Sequence, residues 1–133
     1  MLDLPVRDVM TARPRCVEVR EDLSDVWTEM LNGGFHHVPV LQEGQLVGIL
    51  SASDLHALIR AMPEELQETG VILAEQTIGG LMSPDPDRLE ADATVRDAAE
   101  AFASGRYHAL PVCEGDAVVG ILTTTDLVRW MLR

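Results

Sequence analysis

The chain contains no lysine: its ten basic residues are all arginine, set against 22 acids for a net charge of −12. Such a surface repels phosphate backbones at long range, which disfavours nucleic acid as a partner. It also rules out a phosphate-binding loop of the kind that needs a lysine. Two origins of the imbalance stay open, GC-rich codon usage and adaptation to high salt. No apolar run approaches the ~20 residues that a bilayer demands, so no membrane span is expected. The opening stretch "MLDLPVRDVM" carries acid and has no continuous apolar core, unlike a signal peptide. Cysteine is scarce. Cys16 and Cys113 each sit in an apolar, strand-like context, which suggests buried thiols in a reducing compartment rather than a disulfide. Together these absences point to a soluble cytoplasmic protein.

What is present is a core and a repeat. At 133 residues with 47% apolar content, the chain has material for one compact domain or two small units sharing a core. Gly48 and Gly120 lie 72 positions apart, and that offset aligns about fifty residues without a gap. It pairs Met10 with Met82, Asp25 with Asp97, His36 with His108 and Pro39–Val40 with Pro111–Val112. It also matches "GILSASDL" (Gly48–Leu55) to "GILTTTDL" (Gly120–Leu127). Unrelated segments would agree at roughly one position in fifteen to twenty. The chain is a duplication.

Each copy reads as β-α-β-β-α. Short strands are expected at "CVEV" and "RLEA", then helices over Leu23–Asn32 and Val95–Ser104. Val26, Trp27, Met30 and Leu31 recur at helical spacing on one face, as do Val95, Ala98, Ala99 and Phe102. Asp22 and Thr94 stand where N-caps belong, each with an aspartate three residues on, and Gly33-Gly34 and Gly105 stop the helices. Two strands follow in each copy, "HVPVLQ" and "QLVGILS", then "ALPVCE" and "AVVGILT". Glu43-Gly44 and Gly115-Asp116 supply their turns. Closing helices are expected over Ser53–Ala61 and Thr125–Leu132. Pro63 marks the start of a connecting helix within "MPEELQETGVILAEQT". The boundaries are residues 1–61 for the first copy, 62–77 for the connection and 78–133 for the second. A unit of this kind covers only one face of its sheet, so the expected architecture is α+β (or α/β), two copies packed sheet to sheet with pseudo-two-fold symmetry.

The tandem repeat, the leading Val-Met and Leu-Met elements, the "H-x-x-P-V" strand and the "G-I-L-[ST]-x-x-D-L" terminus closely resemble a pair of cystathionine β-synthase (CBS) domains, a Bateman module, over nearly the whole chain. The resemblance implies a sensor of adenine-containing ligands: AMP, ADP, ATP or S-adenosylmethionine, with no cofactor required. It implies that Asp54 and Asp126 bind the ribose, with Ser51 and Thr123 as hydroxyl partners. An aspartate at a helix start can accept hydrogen bonds from a vicinal diol, and the first N–H groups can hold a sugar or phosphate oxygen. Ser53 and Thr125, or Asp54 and Asp126, could instead serve only to cap the closing helices. By the resemblance, His36, His37 and His108 face a crevice between the copies, pairing Asp54 with His108 and Asp126 with His36 and His37. Where the family often has arginine or lysine, this chain has His37 and Ala109, so phosphate binding becomes pH-sensitive. The loops after Met10 and Met82 should lie near the adenine. Thr11, Arg13 and Arg15 stand in the first, and Ser83, Asp85, Asp87 and Arg88 in the second. Two unequal sites are expected, of which only one takes a charged nucleotide well.

No catalytic constellation accompanies these residues. There is no nucleophile elbow, the cysteines lie on strands, and the four histidines lack compact ligand spacing for a metal. A binding module, not an enzyme, is expected. A competing reading is a scaffold that regulates an effector protein without any nucleotide. Leu55, Leu58 and Ile59, matched by Leu127, Trp130 and Met131, form helix stripes of the kind that family members bury in disc-like homodimers, with Trp130 the preferred contact. With no output domain in view, any signal would pass to a separate, unidentified protein.

Overall fold

A computed structural model describes residues 1–67 and 76–133. In chain order the elements are a 3₁₀ turn Val6–Asp8, β1 (Thr11–Ala12), β2 (Val17–Glu18), α1 (Leu23–Gly33), β3 (His37–Gln42), β4 (Gln45–Ser51) and α2 (Ala52–Arg60). A 3₁₀ turn Glu64–Leu66 leads toward α3 (Ile78–Leu81), β5 (Ser83–Pro84), β6 (Leu89–Glu90), α4 (Val95–Ala103), β7 (Ala109–Glu114), β8 (Ala117–Thr123) and α5 (Thr124–Met131). Each copy has the β-α-β-β-α order, and the fold is mixed α+β. Of the connecting helix, Pro63 introduces only the 3₁₀ turn; the remainder lies outside the described residues. Among the described residues no helix is long and apolar enough to cross a membrane.

The chain divides into two compact units that cut it differently from the repeat. One comprises Met1–Pro14 with Pro86–Arg133, the other Arg15–Asp85. Each copy's leader is therefore built into the unit that holds the body of the other copy. In the first unit the sheet order is β1-β8-β7-β6, with β1 antiparallel to β8 (Thr11 opposite Ile121, Ala12 opposite Gly120). In the second it is β2-β3-β4-β5, with Gly48 opposite Pro84 and Ile49 opposite Ser83. Of the four two-residue edge strands, β2 and β6 fall within the expected "CVEV" and "RLEA", whereas β1 and β5 were not expected.

The reason for this pairing is steric. A Cβ on Gly120 would collide with the sulfur of Met10, and one on Gly48 with the sulfur of Met82. The repeated glycine is thus a notch for the repeated methionine, and the leader can lie against the central strand only because the side chain is missing. The Val6–Asp8 turn is tied in by backbone bonds, Val6 N–H to the Ala93 carbonyl at 2.7 Å and Val95 N–H to that of Leu4 at 2.8 Å.

The longer elements follow local chemistry. On α1, Leu23, Val26, Trp27 and Met30 are buried at positions i, i+3, i+4 and i+7, and Asp22 caps the N-terminus by accepting from Asp25 N–H. Leu31, expected on that face, is instead 59% exposed, the helix face having turned past it. Gly34, at φ 68°, closes the helix in the left-handed conformation and donates to the Met30 carbonyl. In the second unit Val17, Val26, Val38, Val40, Leu50 and Leu55 form a core with Trp27. In the first, Val6, Leu89, Leu110, Val112 and Leu122 do so.

Trp130 corrects an expectation. It is only 8% exposed and packs with Val95, Leu127, Ala99 and Phe102, so it is a core residue of its own unit and not a free surface for a partner. Cys113 is fully buried on β7, and that burial pushes its thiol pKa up against the opposing effect of Arg88. Cys16 is half-buried.

Candidate functional site

The end of β4 and the start of α2 form the corner that holds Ser51 and Asp54. Ser51 is the N-cap: its Oγ accepts from Asp54 N–H at 3.1 Å, while Asp54 Oδ2 accepts from Ser51 N–H at 3.1 Å. At the end of β8, Thr123 and Asp126 repeat the arrangement with both distances 3.0 Å. This reciprocal pair is a capping box, which satisfies two of the donors a helix start otherwise leaves open. The caps are Ser51 and Thr123, not Ser53 and Thr125 or the aspartates, and α2 and α5 start one residue earlier than expected, at Ala52 and Thr124.

Capping does not exhaust the carboxylates. In each box Oδ2 takes one bond, and Oδ1 accepts nothing among the described residues. Three lone-pair sites remain on each carboxylate, enough for the two hydroxyls of a diol. Asp54 and Asp126 are half-buried, so a ligand can reach them. The cap also holds each carboxylate in one rotamer before any ligand arrives, which lowers the ordering cost of binding.

Each corner has a histidine beside it within its own unit. His37 stands opposite Ser51 in the sheet, and Ala52 N–H donates to the His36 carbonyl at 2.8 Å. In the other unit Ala109 stands opposite Thr123, and Thr124 N–H donates to the His108 carbonyl at 3.0 Å. His36 and His108 are exposed and His37 is half-buried. His36 also lines a 120 Å³ cavity between α1 and α2, together with Trp27, Phe35 and His56. Among the described residues no group of three His, Cys, Asp or Glu side chains is placed to hold a metal ion.

The leader loops are divided between the units. Thr11 pairs with Ile121, two residues from Thr123, whereas Arg13 donates its N–H to the Val119 carbonyl at 3.1 Å. Arg13 is thus roughly 14 Å back along β8 from the cap, at ~3.4 Å per residue. In the other unit Ser83 pairs with Ile49, and Asp85 N–H reaches the Val47 carbonyl at 3.0 Å. Arg13 and Asp85 hold the same strained left-handed backbone, φ 52° and 46°, so their opposite charges occupy matching places.

Arg15 must be removed from the expected site. It lies in the unit opposite to Thr11 and Arg13, and its guanidinium is clamped by Glu21 at 2.7 Å and Glu29 at 2.8 Å. These two carboxylates raise its pKa and are themselves held below the usual carboxylate range by it. Glu21 further accepts from Glu18 N–H. Arg15 therefore braces the entry to α1, and its charge is already more than balanced.

Three residues that the sequence reading passed over line a 260 Å³ cavity with Asp126: Asp8, Arg129 and Arg133. The signal in the sequence is the spacing of Asp126 and Arg129 on one face of α5, with Arg133 just beyond its end.

The family model of the CBS domain matches residues 6–61 and again 78–133. The chain belongs to the CBS-domain family. It is a CBS pair. CBSX2 of Arabidopsis thaliana is similar at 26% identity and a TM-score of 0.81, covering 97% of this chain and 94% of that one. A structure of CBSX2 in complex with AMP is similar at 27% identity and a TM-score of 0.80, covering 97% and 96%. The A-adding tRNA nucleotidyltransferase of Aquifex aeolicus is 32% identical over 127 residues. This CBS pair spans 95% of its own length in that comparison but only 14% of the relative's. It spans 45% of an uncharacterised Methanocaldococcus jannaschii protein that is 28% identical.

Proposed function

We propose that this CBS pair is a regulatory module that binds an adenosyl ligand, AMP, ADP, ATP or S-adenosylmethionine, at the strand–helix corners of Asp54 and Asp126. The observation that carries the reading is the repeated capping box whose carboxylate keeps one oxygen without a partner. Thr94 and Asp97 form the same box with an exposed carboxylate, whereas Asp54 and Asp126 are half-buried at the ends of the interior strands β4 and β8. The likeness to CBSX2, whose AMP complex covers nearly the same length, supports adenosine as the recognised half. The module acts by binding rather than by catalysis. A ligand that prefers one arrangement of the chain shifts the population toward it, by no more than its differential affinity. The readout passes to a cytoplasmic effector protein.

A thermal-shift panel of adenosine, AMP, ATP and S-adenosylmethionine tests the proposal on wild type, Asp54→Asn and Asp126→Asn. Asparagine keeps an acceptor for the capping N–H but removes the charge that holds a diol. Ligand at about a hundred times its Kd should stabilise the wild type by about 2.7 kcal/mol, a shift of several degrees. Each variant should lose the shift of its own corner. A panel without any shift overturns the reading.

A homodimer accompanies the proposal. Val128, Met131 and Leu132 at the end of α5 are 53%, 67% and 80% exposed, a cluster of apolar surface that a second copy could cover. Sedimentation of wild type and Met131→Glu tests it: dimeric mass should fall to monomeric in the variant, and a monomeric wild type excludes the dimer.

A further inference from the structure

A cavity lies beside Asp126. It is lined by Asp126, Arg129 and Trp130 of α5, by Arg133 just past the end of that helix, and by Asp8 and Val9 of the leader. At ~1.5 Å rise per residue Arg129 stands roughly 4.5 Å along the helix from Asp126. Among the described residues both ion pairs belong to Arg15, so neither Arg129 nor Arg133 makes one, although Asp8 and Asp126 line the same cavity. Arg133 lies over the Trp130 ring at 5.6 Å, which fixes the guanidinium against an apolar plane. A basic residue in the last turn is what the helix dipole favours, and that alone would account for Arg129. It does not account for two unpaired guanidinium groups sharing a 260 Å³ cavity with the diol-binding carboxylate.

The offset of 72 shows what the other unit has instead. Asp54 is followed there by Ala57 and Ala61, Trp130 is matched by Leu58, and Asp8 by Gly80. The carboxylate is kept and both positive charges are gone. That unit also receives Asp85 where the first has Arg13.

We infer that the α5 cavity is an anion subsite: Arg129 and Arg133 hold the phosphate of a nucleoside phosphate whose sugar is bound by Asp126, making the Asp126 unit the one that takes a charged nucleotide. This rests on the proposed adenosyl function and adds to it the residues that decide charge. Asp126 takes the hydroxyls, the two guanidinium groups take the phosphate oxygens as charge-assisted donors, and Asp8 opposes them. The Asp54 unit, lacking both arginines, suits an uncharged adenosyl group.

Calorimetric titration of adenosine and AMP into wild type, the double variant Arg129→Ala/Arg133→Ala, and Asp8→Asn tests the subsite. Removing both arginines should weaken AMP by about tenfold or more at the stronger site and change adenosine by less than about threefold. Unchanged adenosine binding reports that the double variant is folded. Asp8→Asn should tighten AMP by about twofold to threefold, since it removes a repelling charge. AMP binding to the double variant as tightly as to wild type overturns the subsite while leaving the adenosyl function standing. So does a loss of adenosine as large as the loss of AMP. If wild type binds neither ligand, the functional reading fails, and the subsite fails with it.

Discussion

The two units of this CBS pair share one backbone plan and differ in where each keeps its bulk and its charge. In the unit of Arg15–Asp85 the large ring comes from α1, as Trp27, and the closing helix adds Leu58. In the other unit the same two places hold Ala99 and Trp130, so the ring comes from the closing helix. The volume is conserved while its source moves from one helix to the other, which is how a core drifts without losing density. Charge has not been conserved in this way. Arg13, Arg129 and Arg133 face Asp85, Ala57 and Ala61 at matched positions, and nothing compensates. Packing constrains volume within a unit, whereas a solvent-reachable wall is free to diverge. The divergence lies around a carboxylate that both units kept.

The largest effects should come from the traded rings. Trp27→Ala and Trp130→Ala should each cost about 3–5 kcal/mol in urea unfolding, as truncation of a buried tryptophan does. Should Trp130→Ala alter the oligomeric mass and leave stability intact, its assignment to the core would be broken.

Next come the glycine notches, which separate the units more finely. Gly48→Ala should destabilise by about 2 kcal/mol, because the new Cβ meets the Ser83 carbonyl oxygen at 3.0 Å as well as Met82. Gly120→Ala should cost less, because its obstacles all belong to the flexible side chain of Met10. Equal losses in denaturant titration would mean that the two leaders are seated equivalently after all.

Loss of a cap is smaller still. Ser51→Ala and Thr123→Ala should each remove about 1 kcal/mol, read from the same titrations. A loss near zero at one corner would show that its box is not formed in solution.

The smallest effect belongs to Arg15, which has no counterpart ion pair in the other unit among the described residues. Glu21 and Glu29 have folded-state pKa values below the ordinary 4.5, so their pairing stabilises the protein above that pH. The stabilisation is lost as pH falls through the lowered values. Arg15→Ala should therefore be slightly less stable than wild type at neutral pH, and the two should converge in acid. A difference that grows on acidification would contradict the ion pairs.

Much of this was legible in the residues themselves. The four long strands begin and end where the short apolar runs "HVPVLQ", "QLVGILS", "ALPVCE" and "AVVGILT" place them, bounded by turn residues and buried or half-buried at consecutive positions. Asp54 and Asp126 stood out because the duplication wrote them twice. Leu31 and Met131 fell outside their expected stripes for a shared reason. Helical spacing gives the direction of a stripe and not its edge, so a residue at the margin can fall on either side.

The sequence by itself determined the duplication, the β-α-β-β-α order and the caps of α1 and α4, because these rest on interactions within a few residues of chain. Only the tertiary structure decided the rest: that each leader joins the sheet of the other copy's body, that Arg15 is spent on Glu21 and Glu29, and that Arg129 and Arg133 share a cavity with Asp126 and Asp8. Those facts depend on which distant surfaces fit, a methionine into a glycine notch or a guanidinium between two carboxylates. No local pattern encodes the partner of such a contact.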